Sequence, residues 1–230
     1  MRVLLSFFCL SILMGCGSVD YENAPVGRFK GSLLVMWVSE EKFVFVPAPG
    51  APLRFERNNA SASLPVIMPE MMYTDGGSIP RAARLFQGFS PWGYAPAYMV
   101  HDWIFVARHC LTDGDATPAE QGVAQMTFQE SAEVIAEAIQ TLIFERKVQK
   151  SDVAPRVVSG AVAGPISYNR WTIKGACEED RVSEQHRAEV EAALNQLAGK
   201  SSADEIILPG DPGEPGVPVT PAGIVAQISF

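Results

Sequence analysis

SLLVMWVSEEKFVFV, residues 32–46, is the stretch that decides the fold. Two runs rich in β-branched and aromatic residues, 32–38 and 43–46, flank four polar residues at 39–42. This pattern is typical of a β-hairpin, in which the polar residues make the turn. We therefore predict that the folded part of the chain opens with antiparallel strands.

Shorter segments extend this sheet region. Residues 53–56 alternate between apolar and charged side chains, as a half-buried strand does. Residues 64–68 predict another strand, and Pro65 favours a sheet edge because proline cannot donate to a neighbouring strand. The mostly apolar residues 224–230 either add a strand to the domain or dock on its surface.

Helical spacing of apolar residues dominates the second half of the chain. It predicts helices over residues 96–109, 117 to about 147, 153–163 and 178–197. The second of these begins at Thr117-Pro118-Ala119-Glu120, a capping box with proline at the first helical position. Strands followed by helices predict an α+β fold. We expect a small antiparallel sheet from the N-terminal half, packed with a helical C-terminal half, plus an extended tail.

The first residues are typical of an export signal. Val3–Leu13 is an apolar run of eleven residues preceded by Arg2. It is too short to span a bilayer, which needs about 20 helical residues, but it fits a signal peptide. The run ends in Leu13-Met14-Gly15-Cys16, which resembles the lipobox of bacterial lipoproteins. The resemblance implies cleavage before Cys16, lipid on that cysteine, and a place in the cell envelope. In a Gram-negative host, Gly17 favours the outer membrane, facing the periplasm.

The resulting organisation has four parts. We predict a signal peptide at 1–15, a lipidated tether at 16–30, a single α+β domain at 31–199 and a Pro/Gly-rich tail at 200–230. The tail carries three Gly-X-Y triplets. Three triplets are too few for a collagen helix, so an extended, polyproline-like conformation is expected.

Charge and cysteine content narrow the function further. The net charge is −8 and becomes −9 when Arg2 leaves with the signal. Such an acidic chain lacks the basic surface that nucleic acid requires. Expected partners are the membrane, through the lipid anchor, and an envelope protein or the cell wall. Cys110 and Cys177 remain once Cys9 is cleaved off and Cys16 is lipidated. In an oxidising periplasm they favour one disulfide, with two free thiols as the alternative.

A His-Asp pair lies in the first predicted helix, in the stretch Ala97–Phe105. Burying His101 and Asp102 among apolar residues is costly unless they have partners. Adjacent helix positions point about 100° apart, so we expect the two side chains not to bond each other but to face a shared cleft edge. The glycine-rich loop Tyr73–Arg81, with Asp75 at its start, is the expected source of partners.

Two motifs here resemble an uncharacterised family of short phage and bacterial proteins. The motifs are Thr74-Asp75-Gly76-Gly77-Ser78-Ile79-Pro80-Arg81 and Ala97-Tyr98-Met99-Val100-His101-Asp102-Trp103-Ile104-Phe105. The likeness covers about residues 60–172, and Glu133 occupies the position of an acidic residue on the following helix. Met71 departs from a glycine that is usual before the first motif. The family lends no established reaction, so the resemblance implies a site location rather than an activity.

The string around His101 also resembles secretory phospholipases, in which a histidine activates water and the next aspartate holds calcium. By that likeness His101 is a general base. Asp102 and Asp75, with the carbonyls of Gly76 and Gly77, would bind a divalent metal, calcium or zinc. The cysteines that frame that site in the phospholipases are absent from this chain.

Structural, non-catalytic roles are the alternative for each of these residues. The His-Asp pair can simply brace the Asp75 loop. Ser78 lacks the G-x-S-x-G context of a nucleophile, and Arg81 is expected to pair with Asp75 or Asp102. The remaining polar and aromatic candidates divide into three groups. They are Glu130, Glu133 and Glu137 as a solvated helix stripe, His109 and His186 as surface residues, and Trp92, Tyr94, Tyr98, Trp103 and Phe105 as core and rim of one pocket.

Two functions follow as hypotheses. The first is an envelope hydrolase that uses His101, Asp102 and Asp75, with Ser78, Arg81 and Glu133 in support. The second is a non-catalytic lipoprotein with a structural His-Asp pair and a role in partner binding, phage exclusion or assembly.

Overall fold

A computed structural model describes residues 19–74, 94–148, 161–199, 207–208 and 217–230. The fold is mixed α+β, as predicted. The strands are β1 (Arg28–Lys30), β2 (Ser32–Val38), β3 (Lys42–Pro47), β4 (Arg54–Glu56), β5 (Val66–Ile67), β6 (Met72–Thr74), β7 (Ile207–Leu208), β8 (Val217–Pro218) and β9 (Gly223–Ser229). The helices are α1 (Ala95–Asp113), α2 (Phe128–Phe144), α3 (Pro165–Trp171), α4 (Cys177–Asp180) and α5 (Glu184–Leu197).

The predicted hairpin forms the centre of a four-stranded antiparallel sheet with the order β6-β3-β2-β9. Val35 pairs with Phe45, and the turn passes through Glu40 and Glu41 at φ 58 and 57. The apolar C-terminal segment adds a strand: Ser32 lies opposite Ser229. A strand taken from near the C-terminus thus flanks one taken from near the N-terminus.

A second antiparallel sheet has the order β1-β4-β5. Its edge strand β5 follows Pro65, which agrees with the predicted edge position. Phe29 of β1 and Phe55 of β4 lie opposite each other, with ring centroids 4.7 Å apart. Their rings contribute to the main core that also contains α1 and α2.

The two faces of β2 support different helices, because successive side chains of a strand point to opposite sides. Leu33 and Val35 belong to the main core with α1 and α2. Leu34, Met36 and Val38 belong to a smaller core with Val190 and Ala193 of α5. The central sheet therefore has helices on both faces.

The predicted start of the second long helix is wrong. The capping box does form, since the Thr117 N–H donates to the Glu120 carboxylate at 2.7 Å. It opens only a short 3₁₀ turn, Glu120–Val123. A helix running on from there would carry Gly122 in its interior, where glycine is unfavourable by about 1 kcal/mol. Instead, α2 begins at Phe128, capped by the Thr127 side chain, and ends at Phe144.

The predicted charged helix is divided into α4 and α5. Arg181 is extended (φ −74, ψ 140) and its guanidinium reaches Asp115 at 2.9 Å. Ser183 then caps α5 by accepting from the N–H of His186. Of the predicted helix 153–163, all but the last three residues lie outside the described part of the chain. Within the described ranges, no helix has the length and apolarity that crossing a bilayer requires.

Candidate functional site

The C-terminal end of α1 is joined covalently to α4. Cys110 and Cys177 form a disulfide with their Cα atoms 4.6 Å apart, as the cysteine count predicted. Both residues are buried. Asp113, at the end of α1, accepts hydrogen bonds from the backbone N–H groups of Gly175 (2.7 Å) and Cys177 (3.0 Å). These bonds lower the pKa of Asp113. The end of α1 and the loop before α4 thus form one connected unit.

His109 is buried beside this unit, so its prediction as a surface residue is wrong. Its Nδ1 lies 2.5 Å from Asp180 Oδ2, and its Nε2 lies 2.6 Å from the carbonyl oxygen of Arg170. Both partners accept hydrogen bonds only, so the charged imidazolium, which donates from both nitrogens, satisfies them together. Burial opposes this charge, but the bonds to Asp180 and Arg170 outweigh it and raise the pKa of His109.

His101, two turns earlier on the same helix, is also buried, with 5% of its surface exposed. Its Nδ1 lies 3.3 Å from Asp102 Oδ1, so the expectation that the neighbours would not bond is wrong. The contact is at the long end of the hydrogen-bond range, because adjacent helix positions diverge. The ring packs 4.9 Å from Phe105. Within the described residues, Nε2 is enclosed and has no hydrogen-bond partner.

Tyr98 is a second buried polar group on this side of α1. In the described part of the protein its hydroxyl has no hydrogen-bond partner. Burial, and then the negative charge of Asp102, raise the pKa of Tyr98. Asp102 itself is 40% exposed at its side chain. His101, Asp102 and Tyr98 therefore form a partly satisfied polar cluster in an apolar surrounding.

The aromatic residues around this cluster belong to the core. Tyr94, Tyr98, Trp103 and Phe105 are all buried, which agrees with the core part of their prediction. Trp92 lies outside the described residues. A cleft of about 230 Å³ opens beside α1, but Trp103 and Val106 line it, and His101 does not.

The glycine-rich loop of the sequence prediction lies outside the described residues. This applies to Asp75, Gly76, Gly77, Ser78 and Arg81, and also to the lipidation site Cys16. The residues on either side of this loop are described. β6 ends at Thr74, and the described chain resumes at Tyr94, directly before α1; β6 and α1 contact each other.

The helix stripe of carboxylates is not a solvated face, so that expectation is wrong. Glu137 is buried and binds Arg57 through two hydrogen bonds of 2.8 Å. Glu130 accepts from the same guanidinium at 2.6 Å. Glu133 is half-buried and accepts from the Gln129 side-chain amide at 3.0 Å. Arg57 thereby ties the end of β4 to α2, a connection for which neither sequence segment carries a signal.

His186 is likewise buried rather than on the surface. Its Nδ1 lies 2.7 Å from the hydroxyl of Tyr73, and its Nε2 lies 3.0 Å from Ser39 Oγ. Ser39 Oγ also donates to Glu189 at 2.6 Å, and Tyr73 accepts from the Ser183 N–H. One consistent assignment satisfies every member: Tyr73 donates to Nδ1, and Nε2–H donates to Ser39. The network is therefore a structural link between the hairpin turn and α5.

Metal ligands do not converge in the described ranges. No group of three or more His, Cys, Asp or Glu side chains is placed there to hold an ion. Asp75, a predicted ligand, lies outside those ranges. Asp102 remains the described candidate.

Comparison with protein-family models, with curated protein sequences and with solved structures found no match to this chain.

Proposed function

We propose that this chain is a lipid-anchored envelope protein with a disulfide-linked α+β domain and a hydrolytic site at His101 and Asp102. The compartment is supported by the Cys110–Cys177 bond. Structural disulfides form in oxidising compartments, and these two cysteines are the pair left once Cys16 carries lipid. The motif Leu13–Cys16 supports the anchor.

The main observation in support of this site is that the two ring nitrogens of His101 differ in their hydrogen bonding. Nδ1 faces the Asp102 carboxylate, and Nε2 has no partner within the described residues. A carboxylate on Nδ1 favours the tautomer in which Nε2 accepts a proton, which is the arrangement of a general base. The resemblance to the phage and bacterial family supports the same location, since one of its two motifs contains this pair.

The reaction that fits is hydrolysis of an ester or amide in an envelope lipid or in the cell wall. The step requires the enclosed Nε2 to open to water. Water then gives a proton to His101 Nε2 while its oxygen bonds to the carbonyl carbon, and the C=O π electrons move onto the carbonyl oxygen. The C–O or C–N bond then breaks, and the proton passes from the imidazolium to the leaving oxygen or nitrogen. Asp102 holds the ring in the required tautomer and stabilises its transient charge.

Paired histidine variants test this reaction. We expect His101→Gln to abolish release of fatty acid or cell-wall fragments from envelope preparations. His109→Gln, at a temperature where it stays folded, should retain the release because His109 has both nitrogens engaged. Equal release by wild type and His101→Gln would end the hydrolase proposal.

A non-catalytic envelope protein is the second candidate, favoured by the burial of His101 and by a neighbouring cleft that His101 does not line. In that case His101 braces the fold, and its replacement lowers stability without changing any turnover. Metal analysis of wild type against Asp102→Asn adds an independent readout. Calcium or zinc that is present in wild type and lost in the variant favours the catalytic site. If neither protein contains metal, both the calcium and the zinc interpretation of the site are excluded.

A further inference from the structure

The segment that precedes β1 enters the domain beside the C-terminal half of α2. Gln140 donates from its side-chain amide to the carbonyl of Tyr21 at 2.8 Å. The backbone N–H of Gly27 donates to Thr141 Oγ1, also at 2.8 Å. Tyr21 is buried in the main core. The N-terminal segment is therefore fixed to one end of α2.

This attachment limits how far the domain can stand from a membrane. Five peptide units separate Cys16 from Tyr21, and an extended chain spans at most about 3.5 Å for each. If Cys16 is lipidated, as the proposed function holds, the surface around Tyr21 stays within roughly 18 Å of the lipid. The inference that follows rests on that anchor.

An exposed aromatic side chain lies at this end of α2. Phe144 is 72% exposed. It follows Gln140 by four positions, so it lies on the same side of the helix as the residue that holds the N-terminal segment. Glu145 follows and is half-buried, and Arg146 and Lys147 after it are exposed. Lys147 donates from its ammonium to the Ser229 carbonyl at 2.9 Å, and this ammonium lies 5.0 Å from the ring of Phe230.

The helix ends here in a conformation that usually requires glycine. Lys147 donates its N–H to the Leu142 carbonyl at 2.9 Å, and Arg146 donates to Ile143 at 3.0 Å. This is the Schellman arrangement, in which the residue at the Arg146 position is left-handed and most often glycine. Arg146 adopts φ 58, at a cost of about 1 kcal/mol for an L-residue. The sequence thus carries an arginine, two positions after Phe144, where glycine would be less strained.

We infer that Phe144, Arg146 and Lys147 form a membrane-docking surface for anionic phospholipid. The Phe144 ring enters the headgroup region, where aromatic side chains are favourable. Arg146 supplies the main contact to lipid phosphate, as basic residues close to a membrane surface do, while Lys147 adds positive charge with an ammonium that already donates to Ser229. Three acidic residues, Asp20, Glu22 and Glu145, lie on the same segments, and Asp20 accepts from Asn23. Because these carboxylates offset the two cations, the apolar ring contributes more to docking than net charge does.

The chain supplies a matched control in Ile166. This side chain is 86% exposed, but it belongs to α3, which packs at the opposite end of α2. Tyr168 of α3 lies 5.2 Å from Phe128, the first residue of α2. Sixteen helical steps separate Phe128 from Phe144, or about 24 Å. A tryptophan at Ile166 is therefore as exposed as one at Phe144 but far from the anchored end.

The experiment uses the full lipidated chain in vesicles of phosphatidylethanolamine and phosphatidylglycerol, with and without bromine on the acyl chains. Tryptophan emission is compared among wild type, Phe144→Trp and Ile166→Trp. Wild type corrects for the native tryptophans. We expect brominated lipid to remove emission that the Phe144→Trp variant gains, and to leave the gain in Ile166→Trp intact. Arg146→Gln in the Phe144→Trp background should reduce the quenching.

Flotation of the same vesicles separates the two proposals. Protein that floats but shows no quenching at position 144, or equal quenching at 144 and 166, overturns the docking surface and leaves the anchor standing. Unchanged quenching in Arg146→Gln overturns the phosphate contact. Wild-type protein that fails to float, or Cys16→Ser protein that floats equally well, overturns the anchor and the inference that depends on it.

Discussion

The two ends of α1 carry the same pair of residue types, a histidine beside a carboxylate, in two different states. At the C-terminal end, His109 uses both ring nitrogens, with contacts of 2.5 and 2.6 Å. A disulfide and the Asp113 bonds surround it. Nearer the N-terminal end, the described residues give His101 one hydrogen bond, of 3.3 Å to Asp102, and leave its Nε2 without a partner.

The difference separates a stabilising histidine from one suited to chemistry. An imidazole ring whose two nitrogens are both hydrogen-bonded within the protein can stabilise the fold but cannot accept a proton from a substrate. A ring with an unsatisfied nitrogen costs the fold energy, since a buried polar group without a partner is unfavourable by about 1–3 kcal/mol. Unpaired groups of this kind are expected at sites of function more often than in the rest of a core.

The largest expected effect comes from removing the disulfide that stabilises the C-terminal end. The Cys110→Ala, Cys177→Ala double variant loses the closure of a loop with a sequence separation of 67 residues. Loop entropy predicts a loss of about 4 kcal/mol in the free energy of unfolding. Urea denaturation measures it, and wild type under reducing conditions is the control. A midpoint equal to that of oxidised wild type would contradict a stabilising role for this end of the helix.

The next effect compares the histidines directly. We expect His109→Gln to lower the free energy of unfolding by about 2–3 kcal/mol, because Asp180 and the Arg170 carbonyl lose a charged donor. His101→Gln should cost about 1 kcal/mol, chiefly through packing against Phe105. Denaturant unfolding of the two variants side by side measures the gap. Equal losses of unfolding free energy in the two variants would contradict the proposed difference between His109 and His101.

A smaller effect concerns pH. The pKa of His109 is raised in the folded state above its ordinary value of 6.5, because the bonds to Asp180 and Arg170 outweigh burial. A raised folded value means that the stabilisation is complete below about 6.5 and is lost as pH rises through the folded pKa. The stability difference between wild type and His109→Gln should therefore shrink at alkaline pH. Unfolding curves recorded from about pH 5 to about pH 9 show it. If the stability difference between wild type and His109→Gln is the same at every pH, folding does not stabilise the protonated form of His109.

The smallest effect is expected at Asp113. Its pKa is lowered from the ordinary value of 3.8, first by the Gly175 N–H and then by the Cys177 N–H. Its contribution is present above that value and is lost as pH falls through the folded pKa. Asp113→Asn should lower the melting temperature slightly at neutral pH and less in acid. A variant that melts with wild type at every pH would show that the carboxylate charge is irrelevant to the loop.

Local patterns predicted the parts of this fold whose partners are close in sequence. The β2–β3 hairpin pairs across residues 32–47, and α1 follows the apolar spacing around His101. The disulfide followed from compartment and cysteine count rather than from geometry. Periodicity predicted the existence of α2 but not its start, because the Thr117 box resembles any other helix start until the position of Arg181, which binds Glu120, is known.

The buried polar contacts could not be predicted in the same way. His109 bonds Asp180 across 71 positions, Arg57 bonds Glu137 across 80, and His186 bonds Tyr73 across 113. Each of these side chains is of a polar type that is usually found on protein surfaces, and its partner is identified only by the tertiary fold. The sequence located the candidate site at His101 and Asp102 by motif. It predicted the geometry between them wrongly, because a 100° separation does not prevent a long contact.

The pairing of β2 with β9 has a consequence for how the chain folds. The hydroxyls of Ser32 and Ser229 lie 2.9 Å apart across 197 positions of sequence. Such a non-local contact requires a long loop to close before it stabilises anything, which slows folding. Until residues 223–229 arrive, β2 is an open edge that can pair with the wrong strand. We therefore expect completion of the central sheet to be a late step in folding, and aggregation to be favoured before it.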